Sequence, residues 1–330
     1  MTKRIFVMGT GGWGTALAVL AARGGHAVTL WGRRPELVDE LRASRVNARY
    51  LPGVPLPAEI ELASGRDARF GQAEAFIIAI PTQHLRPVLT PLGEAIGKSK
   101  PVLSCSKGIE NGSLERASEV VREILGRAPV AVFSGPSHAE EVVRGLPATV
   151  VAASIDESVA KWWQSALTIE TFRIYTSNDP VGVELGGALK NVIAIAAGMC
   201  DGLKLGDNAK AALLTRGVVE MARIGVALGA KRETFFGLSG IGDLITTCYS
   251  PHGRNLRVGR EVGAGKKLKQ VLDGMVMVAE GVWTCRAARE LAKEHRLEAP
   301  ITEEVYQVLY EDREPTVGVR NLMTRVPKSE

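Results

Sequence analysis

Residues 5–8, Ile-Phe-Val-Met, form an unbroken apolar run rich in strand formers, and a glycine-rich turn follows at residues 9–14. Residues 15–22 are then small or aliphatic with strong helix propensity, Gly24-Gly25 stops them, and 27–31 returns to strand-like residues. The order is strand, turn, helix, strand. Further on, 75–80 is a near-continuous apolar run ended by Pro81, as a parallel strand buried on both faces requires. Residues 101–105, 130–133 and 148–152 read as strands, and 35–44 and 114–125 as helices. The three prolines between 47 and 57 predict an irregular loop. This alternation predicts an α/β domain with a doubly wound parallel sheet.

Beyond residue 180 strand signals become scarce and helical spacing takes over at 183–199, 209–228, 268–272, 284–295 and 301–309. The pattern predicts two domains, 1–179 for a dinucleotide and 180–330 for an α-helical substrate and catalytic domain. The tail 326–330 is expected to fray.

The turn at 9–14 matches G-x-G-x-x-G in the strand–helix context the motif needs. Gly9 permits the tight turn, Gly11 lets a pyrophosphate approach the backbone, and Gly14 lets helix pack on strand. The pyrophosphate then meets unpaired N–H groups at the positive end of the helix dipole. Where an acid would hold the ribose of NAD, after the second strand, the chain has Arg33-Arg34. Two guanidinium groups suit a 2′-phosphate, so NADP(H) is expected to be accepted. Either arginine can also be plain solvated surface.

Composition narrows the classes. A net charge of +5, scattered along the chain without a basic block, suits phosphorylated ligands and gives no footprint for nucleic acid. Cys105, Cys200, Cys248 and Cys285 form no C-x-x-C pair, which argues for a reducing, cytoplasmic setting and against a metal site. The first strand starts almost at once, so no signal peptide is expected, and no apolar run reaches the length of a membrane span.

Candidate chemistry lies in two further stretches. Helix 183–199 is apolar or small except for Glu184, Lys190 and Asn191, which predicts a buried helix. A buried lysine has a readily shifted pKa and suits general acid–base work; its long stem also lets it snorkel to the surface. Residues 237–244, Gly-Leu-Ser-Gly-Ile-Gly-Asp-Leu, allow close backbone approach to a ligand, and Asp243 can orient a hydroxyl or an ammonium or cap the next helix. Arg254 can clamp a phosphate or form a surface ion pair. His138 reads as a loop residue near the cleft, and lysine chemistry is favoured over histidine.

Residues 9–18, Lys107-Gly108-Ile109-Glu110, Gly135-Pro136-Ser137, 185–198, 237–244, Arg254-Asn255, Glu280-Gly281 and 300–304 together resemble bacterial NAD(P)-dependent sn-glycerol-3-phosphate dehydrogenases across almost the whole chain. The resemblance implies a Rossmann-type domain followed by an all-α domain of the 6-phosphogluconate-dehydrogenase-like kind. It implies reduction of dihydroxyacetone phosphate to sn-glycerol 3-phosphate for glycerophospholipid synthesis, with NADP(H) or NAD(H), no metal, and a homodimer. Lys190 would be the general acid/base, with Lys107 near substrate and nicotinamide and Asp243 holding the substrate hydroxyls and the charge of Lys190. Gly135, Ser137, Gly253, Arg254 and Asn255 would bind substrate, the last two its phosphate. Gly12, Trp13, Arg33, Ala139, Arg254, Val278 and Glu280 would contact the cofactor, beside Gly9, Gly11, Gly14, Arg34 and Lys107. Relatives often carry Ser at the positions of Gly12 and Gly253, so hydroxyl contacts are lost there. The competing readings are a ketopantoate-reductase or β-hydroxyacid-dehydrogenase type of NADP reductase and a non-catalytic NADP(H) sensor. The Asp243 segment and the Arg254-Asn255 pair argue against the first, and the set Lys107, Lys190 and Asp243 against the second.

Overall fold

The computed structural model describes residues 1–250 and 253–327, so the last three positions of the expected frayed tail lie outside the described residues. Eight strands run in chain order: β1 (Arg4–Met8), β2 (Ala27–Gly32), β3 (Glu61–Ser64), β4 (Ala75–Ile78), β5 (Val102–Ser104), β6 (Val130–Ser134), β7 (Ala148–Ala153) and β8 (Phe172–Ser177). They form one sheet in the order β3-β2-β1-β4-β5-β6-β7-β8. Val7 of β1 stands opposite Leu30 on one side and Ile77 on the other, so the first apolar run is the middle of a three-strand parallel core. All of β4 and β6 is buried, as their unbroken apolar sequence demands.

Two departures from the sequence reading have local causes. β7 runs antiparallel to β6, so the sheet is mixed where a wholly parallel one was expected. Only 13 residues separate Ser134 from Ala148, and their single helical turn, Ala139–Val142, does not carry the chain back across the sheet face. The helix expected from 114 begins at Ala117 instead, because Leu114 takes a left-handed conformation (φ 61°) and Ile109 bridges to Arg116.

The longer helices used below are α1 (Gly12–Arg23), α2 (Pro35–Ser44), α3 (Ala117–Leu125), α4 (Glu157–Leu167), α5 (Pro180–Gly202), α6 (Asp207–Ala227), α7 (Asp243–Tyr249), α8 (Arg254–Gly263), α9 (Glu280–Glu294), α10 (Pro300–Tyr310) and α11 (Pro315–Met323). Among the described residues no strand follows Ser177. Asp179 makes the join: its carboxylate caps α5 through Gly182 N–H (2.9 Å) and also accepts from Lys231 N–H and the Thr234 hydroxyl. α5 is buried almost throughout and is the axis of the helical half, packed by α6, α7, α8 and α9. By length and composition α5 could cross a membrane, but 94% of that stretch is buried inside the protein. α8 lies against α5 backbone to backbone: a Cβ on Gly259 would stand 2.0 Å from Ile195 O, and one on Gly198 2.2 Å from Leu256 O. Glu184 of α5 fixes the two halves together, accepting from Arg116 Nη1 (2.6 Å), Ser118 N–H (2.8 Å) and the Ser118 hydroxyl at the start of α3.

Candidate active site

β1, β4, β5 and β6 all end at one edge, and the reversal of strand order between β1 and β4 opens a crevice there. Gly9–Gly14 follows β1, Pro81 follows β4, Ser106-Lys107 follows β5 and Gly135 follows β6, and all but Gly135 line a cleft of about 440 Å³. α5, α7, α8 and the loop before α9 close its other side with Lys190, Asp243, Arg254 and Val278. Two other hollows of comparable size lie away from this strand edge, one beside Arg289 and one beside Lys98, and neither contains the glycine turn or Lys190.

The glycine turn is built for a ligand. Gly9 has φ 123° and its Cβ would meet Ala79 O at 2.5 Å, while a Cβ on Gly14 would sit 1.9 Å from Gly9 O. A Cβ on Gly11 would meet nothing within 4 Å, so the space in front of it belongs to no protein atom. The Trp13 indole N–H is buried beside this space with no partner among the described residues. Asn47 holds the turn in place, donating to Thr10 O (2.9 Å) and the Thr15 hydroxyl (2.8 Å). These features fit a dinucleotide pyrophosphate over the start of α1. At the end of β2, Arg34 Nη2 donates to the Tyr50 hydroxyl at 2.6 Å, and Arg33 is exposed with no ion-pair partner among the described residues. Gly12 is explained by the same loop: a Cβ there would press on Tyr50 O at 2.8 Å. Gly253 is likewise hemmed in by Thr247 O at 2.8 Å.

At the other end of the cleft one carboxylate serves two ammonium groups. Asp243 Oδ2 accepts from Lys107 Nζ at 2.8 Å and Asp243 Oδ1 from Lys190 Nζ. Lys190 also donates to Thr247 Oγ1 (2.6 Å), which donates to Asp243 O (2.7 Å), and Lys107 donates to Gly135 O (3.2 Å). Asp243 therefore orients lysines and does not cap α7. Burial alone would raise its pKa, yet the two lysines hold it below the usual carboxylate range. A single negative charge cannot neutralise both ammoniums, and the more buried one yields. Burial and the Lys107 charge bring Lys190 down to about 8 against the pull of Asp243. Snorkelling is ruled out by the burial of Lys190, which is 5% exposed.

The remaining groups frame this pair. Ser137 donates to Gly135 O (2.9 Å), and Ala139 lies beside Gly12. Arg254, in the first turn of α8, donates to Val278 O (3.3 Å) and is otherwise turned to the solvent-reached cleft. Glu280 accepts from Thr82 N–H across the cleft (2.9 Å); burial raises its pKa to about 7, opposed by that hydrogen bond and by Arg254. His138 donates weakly to Thr246 O (3.5 Å), and burial together with the Lys190 charge keeps it below the ordinary imidazole value. The Asn255 amide is turned into the protein, toward Asn191 and Gly281. Sequence reasoning gave no role to Thr247, Asn47 or Tyr50, and it noted Asn191 only as a polar exception in its helix. The i, i+4 spacing of Asp243 and Thr247 is the one signal that could have found the first, since it puts both on one helix face.

A glycine-turn crevice facing a buried, acid-coupled lysine defines a two-domain nicotinamide-dinucleotide dehydrogenase. Residues 4–160 match the N-terminal model and 179–320 the C-terminal model of NAD-dependent glycerol-3-phosphate dehydrogenase. The chain belongs to the NAD-dependent glycerol-3-phosphate dehydrogenase family. It is 51% identical over 326 residues to glycerol-3-phosphate dehydrogenase [NAD(P)+] of Moorella thermoacetica, covering 98% of this chain and 97% of that one. The enzyme of the same description from Geobacillus kaustophilus is 49% identical over 331 residues, with 99% and 96% covered. The crystal structure of glycerol-3-phosphate dehydrogenase from Coxiella burnetii superposes with a TM-score of 0.94 at 39% identity, covering 98% of this chain and 99% of that one.

Proposed function

We propose that the chain reduces dihydroxyacetone phosphate to sn-glycerol 3-phosphate, reversibly, as a step toward glycerophospholipids. The observation that carries this is the Lys107–Asp243–Lys190 cluster, which lies in one cleft with the free side of Arg254 and the glycine turn. When bound, the nicotinamide supplies hydride to C2. Lys190 gives its ammonium proton to the C2 oxygen, and Asp243 and Thr247 hold that ammonium in line. Lys107 polarises the same carbonyl. Arg254, at the N-terminus of α8, takes the phosphate with Asn255 and Gly253, and Gly135 and Ser137 line the space between. Residues 1–179 hold the cofactor through Gly9, Gly11, Gly12, Trp13, Gly14 and Ala139; 180–330 hold the acid/base and the anion, with Val278 and Glu280 reaching back to the cofactor. The working enzyme is a cytoplasmic homodimer on this reading, and a monomeric mass by light scattering would overturn the second term.

The test is oxidation of NADPH followed at its absorbance band, with dihydroxyacetone phosphate as the trigger. Loss of absorbance only after the triose phosphate is added supports the reading; bound NADPH without turnover favours a ketopantoate-type reductase or a sensor. On this reading Arg33, exposed and next to Arg34, which donates to Tyr50, takes the 2′-phosphate of NADP(H). Arg33→Ala should weaken NADPH by roughly tenfold or more, the scale of a hydrogen bond to a charged group, and leave NADH within about threefold. Equal losses for both cofactors by fluorescence titration would place the 2′-phosphate elsewhere.

A further inference from the structure

A second buried lysine lies outside the cleft. Lys210, in the first turn of α6, is 6% exposed, and its ammonium donates to both carboxylate oxygens of Asp201 at 2.9 and 3.0 Å. Asp201, near the end of α5, also accepts from Arg260 Nε of α8 (2.9 Å). The face of the Tyr249 ring covers the same ammonium, with 4.7 Å between Nζ and the ring centre. Tyr249 is the last residue of α7, whose first is Asp243. This short helix is therefore held at both ends by lysines of other helices: Lys190 of α5 grips Asp243 and Thr247, and Lys210 of α6 grips Tyr249. Cys248 lies between the two grips; burial raises its thiol, and the Lys190 and Lys210 charges both pull it back. Lys210 and Tyr249 are not among the residues that line the cleft, and Asp201 stands 11 residues from Lys190 along α5, about 16 Å at the rise of a helix.

We infer that Lys210 and Tyr249 are positioning residues that fix the roll of α7, and through it the place of Asp243 and Thr247 against the Lys190 ammonium. The fully buried apolar side chains of α7, Leu244 and Cys248, are four residues apart and seat the helix along one line. Rotation about that line is left for the groups at its ends to set. The inference rests on the functional reading above, in which Lys190 gives up its proton while Asp243 and Thr247 hold it in line. Misplacement by about 1 Å can cost on the order of 10²-fold in such a step. Besides Asp243, the titratable groups that face Lys190 are Lys107, Cys248 and His138. Only the Asp243 carboxylate is anionic at neutral pH, so drawing it away lowers the Lys190 pKa further.

The experiment follows kcat for dihydroxyacetone phosphate reduction from pH 6 to 10 in Tyr249→Leu, Tyr249→Phe and Lys210→Met. Tyr249 is exposed, so replacing it costs little stability, and Lys210→Met leaves Asp201 still paired with Arg260. Tyr249→Leu and Lys210→Met should each lose about tenfold in kcat, with the falling limb of the rate moved to lower pH. The double variant should lose no more than the worse single, as partners in one contact do. Tyr249→Phe keeps the ring face and should match the parent in both rate and profile. A parent-like kcat in Tyr249→Leu, a loss whose limb stays where the parent's lies, or equal losses in the Leu and Phe variants overturns the inference. A parent without turnover, or without a falling limb near pH 8, would instead sink the functional reading before any variant is made.

Discussion

Lys190→Ala is expected to keep NADPH binding and to lose about 10²–10⁴-fold in the rate of dihydroxyacetone phosphate reduction, the usual worth of a positioned general acid. The loss belongs to kcat, because Lys190 acts on the reacting oxygen. The parent should carry the signature of this residue in its pH dependence. Reduction needs the ammonium, so its rate falls as pH rises through about 8, and oxidation of glycerol 3-phosphate needs the free amine, so it gains over the same interval. Steady-state rates in both directions between pH 6 and 10 test this. A loss below tenfold in the variant, or parallel pH profiles in the two directions, would move the proton to another group, with Lys107 next.

Asp243→Asn is the second large effect. It leaves the Lys107 and Lys190 ammoniums in one buried site with no counter-charge, a change that costs about 3–5 kcal/mol when both charges are kept. Lys190 escapes that cost by giving up its proton, because its pKa falls further once the carboxylate is gone. Reduction at neutral pH should therefore drop by on the order of 10²-fold or more, and the falling limb of its pH profile should move to lower pH. The amide keeps the shape of the side chain, so the thermal melt is the control. A variant whose profile stays where the parent's lies would show that Asp243 does not govern the charge of Lys190.

Much of this was legible because the informative signals are local. The glycine turn and the unbroken apolar helix each lie within one stretch of chain, and each is read from a few neighbouring residues. The direction of β7 was not legible, since a strand's apolar pattern is the same whichever way it runs. β8, Phe-Arg-Ile-Tyr-Thr-Ser, went unread although its first four residues alternate between buried and exposed, because the run is short and lies against the start of the helical half. The Asn191–Asn255 contact joins residues 64 apart, and nothing in either stretch names the other. Gly12 and Gly253 read as lost hydroxyls in the sequence; in the structure a neighbouring carbonyl oxygen occupies the room a Cβ would need.

The four cysteines give the protein an internal clock. Each thiol is buried and unpaired, and burial raises the pKa of each, that of Cys248 to about 12. Thiolate-selective reagents should thus label the native protein only as fast as it opens, and all four sites at once when it is denatured. Cys105 follows β5 in the sheet, while Cys248 is buried in α7, one residue beyond Thr247. Mass-resolved labelling would time the breathing of the sheet and of the lysine site separately, with no probe added to the chain. If cofactor and substrate bind as a clamp across the cleft, they should slow the Cys248 clock more than that of Cys285, which lies deep in α9.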